Sequence, residues 1–190
     1  MDRISFDIFE PEKKRFHVTP NLVVYSFWGF LILFLWALGG VVPVGSTVRN
    51  MSIGVVFLVN MFFLITSFFR FEPLRGRMNG KIIFNEDEMV IGSHAFKLKE
   101  IKNIDFHFGD FYGSRSLAIR GNFNPMLSQG VNNFISFDDK SGETKLVYFR
   151  MMTNHSSLTL HPFINTAVKT GAMSYYRAID LIDVENVTKP

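Results

Sequence analysis

Two charge-free apolar runs in close succession constrain this chain of 190 residues more than anything else in it. The first, LVVYSFWGFLILFLWALGGVVPV, extends from Leu22 to Val44, and the second, MSIGVVFLVNMFFLITSFF, from Met51 to Phe69. A hydrocarbon core of roughly 30 Å is crossed by about 20 helical residues rising roughly 1.5 Å each, so either run is long enough to span it. Joined by the short turn Gly45 to Asn50, they predict a transmembrane hairpin. A cleavable signal peptide fits poorly, because the segment before Leu22 is of mixed charge and the apolar run exceeds the usual length.

The flanks predict orientation, since Lys and Arg beside a span resist translocation. Arg3, Lys13, Lys14 and Arg15 precede the first run, and Arg70, Arg75, Arg77 and Lys81 follow the second, whereas the turn carries only Arg49. Both termini are therefore expected in the cytoplasm, with the protein integral to the plasma (inner) membrane. Tyr25, Trp28 and Trp36 lie towards the ends of the first run as interfacial anchors would, although Trp28 is rather deep for that role.

Within the runs, lipid offers polar side chains no partner. Asn60 is the one strongly polar residue at mid-depth. It is expected either to bond locally within the hairpin or to bond another helix, a contact worth roughly 0.5 to 2 kcal/mol. Ser26, Gly29, Gly39, Gly40, Ser52 and Gly54 allow close helix approach without forming a GxxxG pair. No row of Asp, Glu, Lys or Arg marks an ion path, which argues against a transporter or channel of two spans.

The remaining sequence divides naturally. Residues 1–21 read as a cytoplasmic arm with Pro11 and Pro20 interrupting any helix; Phe6, Ile8, Phe9 and Phe16 either dock on the soluble part or lie in the membrane interface. Residues 70–79 read as a juxtamembrane linker in which Glu72, Pro73 and the Gly76 to Gly80 region end the helix. Residues 80–190 have the length of one small domain.

In that domain the period changes from helix to strand. Lys81–Asn85 and Met89–Ile91 flank an acidic turn at Glu86–Glu88, a hairpin signal. Ile104, Phe106 and Phe108 alternate with Asp105 and His107, as in a half-buried strand. Ser116–Arg120, Asn133–Phe137 and Lys145–Met151 are further strand candidates, with DDKSGE turning the last two. From Ser156 the spacing becomes helical: Leu160, Phe163, Ile164, Ala167 and Val168, then Met173, Tyr176, Ile179 and Ile182 beyond a break at Gly171. The pattern predicts a small twisted sheet pair or partly open barrel, closed by a C-terminal helical region that covers exposed edges.

The strands GKIIFNEDEMVI and FKLKEIKNIDF, the closing helical region and the paired spans ahead of them resemble bacterial pleckstrin-homology-like domains joined to a two-helix membrane hairpin. The resemblance covers about Gly80 to Ile182 and rests on pattern. It implies a non-catalytic module that binds lipid headgroups, peptides or other proteins. Such fold-level analogy bears on function only by association.

The residues themselves narrow the chemistry. With no cysteine there is no disulfide, thiol nucleophile or Cys-based metal site. His17, His94, His107, His155 and His161 lack zinc-ligand spacing. Asp105, His107 and Asp110 make a weak acid/base set, and the glycines in FGDFYGSRS and IRGN are not spaced as a phosphate loop. No cofactor or metal is expected. From Arg70 onward 15 basic residues stand against 13 acidic ones, too even a balance for a nucleic-acid partner. Membrane lipids are the expected partners, alongside a protein partner or a second copy. Arg70, Arg75, Arg77 and Lys81 form a juxtamembrane patch for anionic headgroups. GDFYGSRSLAIRGNFNPMLSQGVNN reads as a long hydrogen-bonding loop in which Tyr112, Arg115 and Arg120 are ligand-binding candidates, the arginines suiting phosphate or carboxylate. Two other readings stay open: an accessory subunit of a larger membrane transport or signalling complex, and a small enzyme at the membrane surface.

Overall fold

The computed structural model describes residues 3–13, 16–39, 45–115 and 123–182. They divide into two compact units: a sheet unit of Met1–Lys13, Pro73–Ser114 and Ser128–Pro190, and a helical unit of Lys14–Glu72 and Arg115–Leu127. Each unit is therefore assembled from segments distant in sequence.

In the sheet unit, β1 (Ile4–Pro11), β2 (Gly76–Phe84), β3 (Glu88–Ile91), β4 (His94–Lys97), β5 (Lys102–Phe108), β8 (Asn133–Asp138) and β9 (Thr144–Arg150) form one sheet in the order β4-β3-β2-β1-β9-β8-β5. Its described pairings are antiparallel. Two short strands, β6 (Tyr112–Arg115) and β7 (Leu127–Gln129), make a separate ribbon.

The segment before the helices is thus no separate arm. β1 is the middle strand of the sheet, bonded to β2 on one side and β9 on the other. Phe6 and Ile8 lie in the core and Phe9 is buried, whereas Phe16 is 85% exposed. The physical reason is the two-residue period of ISFDIF, which places Phe6 and Ile8 on one face. The domain accordingly starts at Ile4 and resumes at β2, before Gly80, with the helices as an insertion between neighbouring strands.

The core is aromatic and aliphatic. Phe84 packs edge-on against Phe163 with centroids 4.9 Å apart, and against Phe6 at 6.0 Å, while Phe96 meets Phe137 at 5.0 Å. Above it lie α3 (His161–Lys169) and α4 (Tyr175–Leu181), separated at Gly171. Gly171 holds φ at 74°, a left-handed value that ends α3 and that residues with a Cβ adopt at a cost. α3 contributes Phe163, Ile164, Ala167 and Val168 to the core, the three-and-four spacing read in the sequence. The helical part also guards the edge strand β5: Ile104 N–H donates to Ala172 O at 2.9 Å, Arg177 Nη2 donates to Phe106 O at 3.2 Å, and Arg177 pairs with Asp105. Occupied backbone groups cannot recruit a foreign strand.

The helical unit contains α1 (Pro20–Gly39) and α2 (Ser46–Ser67). Both are long and apolar enough to cross a membrane, and only 6% of each candidate span, Pro20–Ala37 and Asn50–Ser67, is buried. That exposure separates them from core helices of a soluble fold, whose apolar faces are covered.

Candidate functional site at the hairpin root

Within the long loop read from the sequence, residues 123–127 form a strap. After the described residues resume at Phe123, the chain runs beside the open end of the helical hairpin and bonds to both helices. Phe123 N–H donates to Asn21 Oδ1 at 2.6 Å, and Asn21 N–H to Asn124 Oδ1 at 3.4 Å. At the other helix, Met126 N–H donates to Ser67 O at 3.0 Å and Leu127 N–H to Arg70 O at 3.1 Å; Glu72 N–H returns a bond to Leu127 O at 2.8 Å. The first turn of a helix has spare N–H groups and the last turn spare C=O groups, so one short segment satisfies orphans of both kinds. Phe123 and Met126 are buried with Val24 and Ser67, and the Tyr25 ring meets Phe123 edge-on at 6.2 Å. A strap of this kind leaves no local periodic signal; its only trace was Asn124 and Pro125 among the large apolar residues Phe123, Met126 and Leu127.

Around this root the exposed side chains are aromatic and basic. Phe16, Leu22, Tyr25, Phe68, Phe69 and Phe71 are exposed, Phe69 to 74%, and Arg70 stands among them. Arg115, at the end of β6, is exposed and also belongs to the helical unit. Arg120 and the strand candidate Ser116–Arg120 lie outside the described residues.

The other candidates belong to the sheet unit and fall into two groups. Tyr112 lies in β6 and not in an open loop: its N–H donates to Met151 O at 2.8 Å, and the Arg150 guanidinium lies over its ring, 4.6 Å from the centroid. Arg150 Nε donates to Gln129 O at 3.0 Å. Gly130 makes this junction possible, with φ at 70° and a position where a Cβ would collide with Met151 O and Tyr112 N. Next to it is a polar knot. Fully buried Asn133 accepts from Gly109 N–H at 2.9 Å and Asp110 N–H at 3.3 Å, and donates to Gly130 O at 2.9 Å and to Asp110 Oδ1 at 3.3 Å. Ser128 Oγ donates to the other Asp110 oxygen. Asp110 is therefore a structural acceptor that pins the turn after β5.

The second group sits where β1 and β2 leave the core. Arg77 Nε donates to Glu10 Oε2 at 2.7 Å and Asn79 Nδ2 to Glu10 Oε1 at 2.5 Å, while Glu12 N–H donates to Arg75 O at 2.9 Å. Arg77 is thus already paired; Arg75 and Lys81 are exposed. An open groove of about 450 Å³ is lined by Glu10, Pro11, Glu12, Leu74, Gly76 and Arg77. A smaller cavity of about 100 Å³ beside Arg3 and Glu86 is below the roughly 300 Å³ of a metabolite pocket. Among the described residues, no three His, Asp or Glu side chains converge as a metal site would require.

Several carboxylates are tuned by their partners. The Asn79 amide, then Arg77, hold the Glu10 carboxyl below its ordinary value. In the β8–β9 turn, the Thr144 hydroxyl and Asn103 amide lower Asp138, and the Ser141 hydroxyl leads in lowering Asp139. Lys145 is raised, chiefly by its bond to Glu143. A depressed carboxylate stabilises the fold above its unfolded pKa and loses that contribution as pH falls through the folded one; a raised Lys contributes below its unfolded pKa and loses it as pH rises. The β8–β9 turn is therefore expected to hold from about pH 5 to about pH 10 and to loosen first below about pH 4. Amide hydrogen exchange of residues 138–145 across that range checks this; unchanged protection at pH 3 contradicts it.

Comparison with family models, curated proteins and solved structures finds no significant match.

Proposed function

We propose that the chain is a membrane-anchored cytoplasmic binding or scaffold module, non-catalytic, that recognises anionic lipid headgroups or a protein partner close to the bilayer. The observation that carries the reading is the pairing of β1 with β2 across the helical insertion, with Pro11 opposite Gly76. Strands of one ladder cannot lie on opposite sides of a membrane, so a hairpin that spans must leave and return on one face. The basic residues on both flanks then make that face cytoplasmic by the positive-inside bias. Aromatic residues about the hairpin root suit the headgroup level, with Arg70 exposed among them, and Arg75 and Lys81 are exposed cations of the sheet unit. The seven-stranded antiparallel sheet with helices packed on it supports the pleckstrin-homology-like assignment.

The test is to extract full-length protein in mild detergent at low and at moderate salt and to analyse by mass spectrometry what accompanies it. Enrichment of anionic phospholipid that salt reduces, and that Arg70→Ser with Arg75→Ser reduces several-fold, is the expected result, because each Lys or Arg near an anionic surface contributes about 1 kcal/mol. A stoichiometric protein partner that survives salt, with no lipid preference, would replace headgroup recognition by the reading as a subunit of a larger complex.

A further inference from the structure

An antiparallel sheet with its core on one face ordinarily turns polar side chains outward from the other. Here the outward face is aromatic. The register sets Met78, Phe9, Tyr148, Phe134 and His107 side by side across β2, β1, β9, β8 and β5, one residue from each of five neighbouring strands. Ile8, Phe149, Ile135 and Phe106 lie in the core, so alternation sends the adjacent Phe9, Tyr148, Phe134 and His107 to the opposite face. His107 stacks on Phe134 with ring centroids 4.9 Å apart, and Phe134 meets Tyr148 edge-on at 5.7 Å. Met78, Tyr148 and Phe134 are half-buried, His107 is exposed, and Leu146, two residues before Tyr148 on the same face, is 51% exposed. Cross-strand pairing, worth about 0.2 to 1 kcal/mol per pair, accounts for the ring contacts but not for an exposed leucine beside them.

The charges of this face are matched by partners. Asp105 pairs with Arg177, Asp138 accepts from Asn103 Nδ2 and Thr144 Oγ1, both at 2.6 Å, and Asp7 stands in register between Lys81 and Arg150. Lys81 is exposed on the same face, which makes the face continuous with the basic residues that follow the hairpin. An apolar surface whose carboxylates are all accompanied and whose exposed rim is cationic complements an anionic bilayer.

We propose that this row is a second membrane contact: the outer face of the sheet rests on the headgroup layer, with Tyr148, Phe134 and Leu146 at the interface and Lys81 beside lipid phosphate. Tyrosine suits that level because its ring is apolar and its hydroxyl stays wet. The proposal deepens the headgroup reading and rests on the hairpin as anchor. Nine residues lead from Pro11 to Pro20 and nine from Ser67 to Gly76, about 30 Å at full extension, so a spanning hairpin keeps this sheet within reach of the bilayer surface.

The chain has no cysteine, so single-cysteine variants each report one position. Leu146→Cys and, as a reference, Leu158→Cys, 53% exposed in the turn before α3, carry a nitroxide in the full chain, one copy per nanodisc of phosphatidylcholine and phosphatidylglycerol. Spin-label accessibility compares oxygen, which concentrates in lipid, with a water-soluble nickel chelate. The oxygen-to-nickel ratio is expected to be several-fold higher at residue 146 than at residue 158. Equal ratios overturn the proposal, and so does a label at residue 146 that is shielded only when two copies share a disc, which would assign the face to a second copy. Nickel access to a label at Leu58→Cys on α2 would remove the anchor reading and this contact with it. Nickel access at residue 146 while salt-sensitive lipid enrichment persists would remove the second contact and leave headgroup recognition standing.

Discussion

A fragment beginning at Pro73 is expected to remain unfolded, whereas residues 3–12 joined to residue 75 by a short turn in place of the helices should give a folded sheet. Every strand after the hairpin is present in the fragment, but the middle of the sheet is not. β1 bonds to β2 on one side and to β9 on the other, and it brings Phe6 and Ile8 into the core. Without it the two halves lose their common strand and expose two raw edges. Phe6→Ala alone should cost about 3 to 5 kcal/mol, a large part of the roughly 5 to 15 kcal/mol that holds a domain together. The join is feasible because Pro11 faces Gly76 and Glu12 N–H already bonds Arg75 O at 2.9 Å, so a tight turn suffices. Circular dichroism and amide NMR dispersion of the two proteins decide the matter: a well-dispersed spectrum from the fragment would show that β1 is dispensable.

Asn133→Leu should be almost as damaging, although it places an apolar side chain in a fully buried position. The change strands Gly109 N–H, Asp110 N–H and Gly130 O, each of which loses the partner that Asn133 supplies. A buried donor or acceptor left without a partner costs about 1 to 3 kcal/mol, so a loss of about 3 kcal/mol or more is expected. Asn79→Ala is the control: its amide bonds the exposed Glu10 carboxylate and its loss should move the unfolding midpoint little. Urea titration of the hairpin-free sheet measures both, and a change below about 1 kcal/mol for Asn133→Leu would mean that water replaces the side chain.

Both expectations depend on contacts between residues far apart in sequence, and this is where local reading runs out. ISFDIFEP has a strand's alternation, but alternation cannot say which strands lie beside it. Reading the segment as a cytoplasmic arm, docked on the soluble part or lying in the membrane interface, followed from its place ahead of an apolar run. In the same way, the Asn, Pro and Gly of residues 120–133 carry turn propensity, which fits an open loop and a strap equally well; only Asn21 and Ser67, about 55 to 105 residues away, distinguish the two. Tyr112 was read as part of a long loop, and it lies in β6 with its ring beneath Arg150 from β9.

What the sequence determined by itself was everything set by composition and period. Length without charge settled the two long apolar helices, two-residue alternation the strands β5, β8 and β9, three-and-four spacing α3 and α4, and Gly171 the break between them. These signals are local because backbone geometry repeats over a few residues. Tertiary structure alone decided that β1 lies at the centre of the sheet, that residues 123–127 strap the hairpin root, and that Asn133 gathers the chain around Asp110. Each of these joins chain segments whose partners are chosen by burial and by the need of buried polar groups for a bond, and neither requirement leaves a mark on the neighbouring sequence.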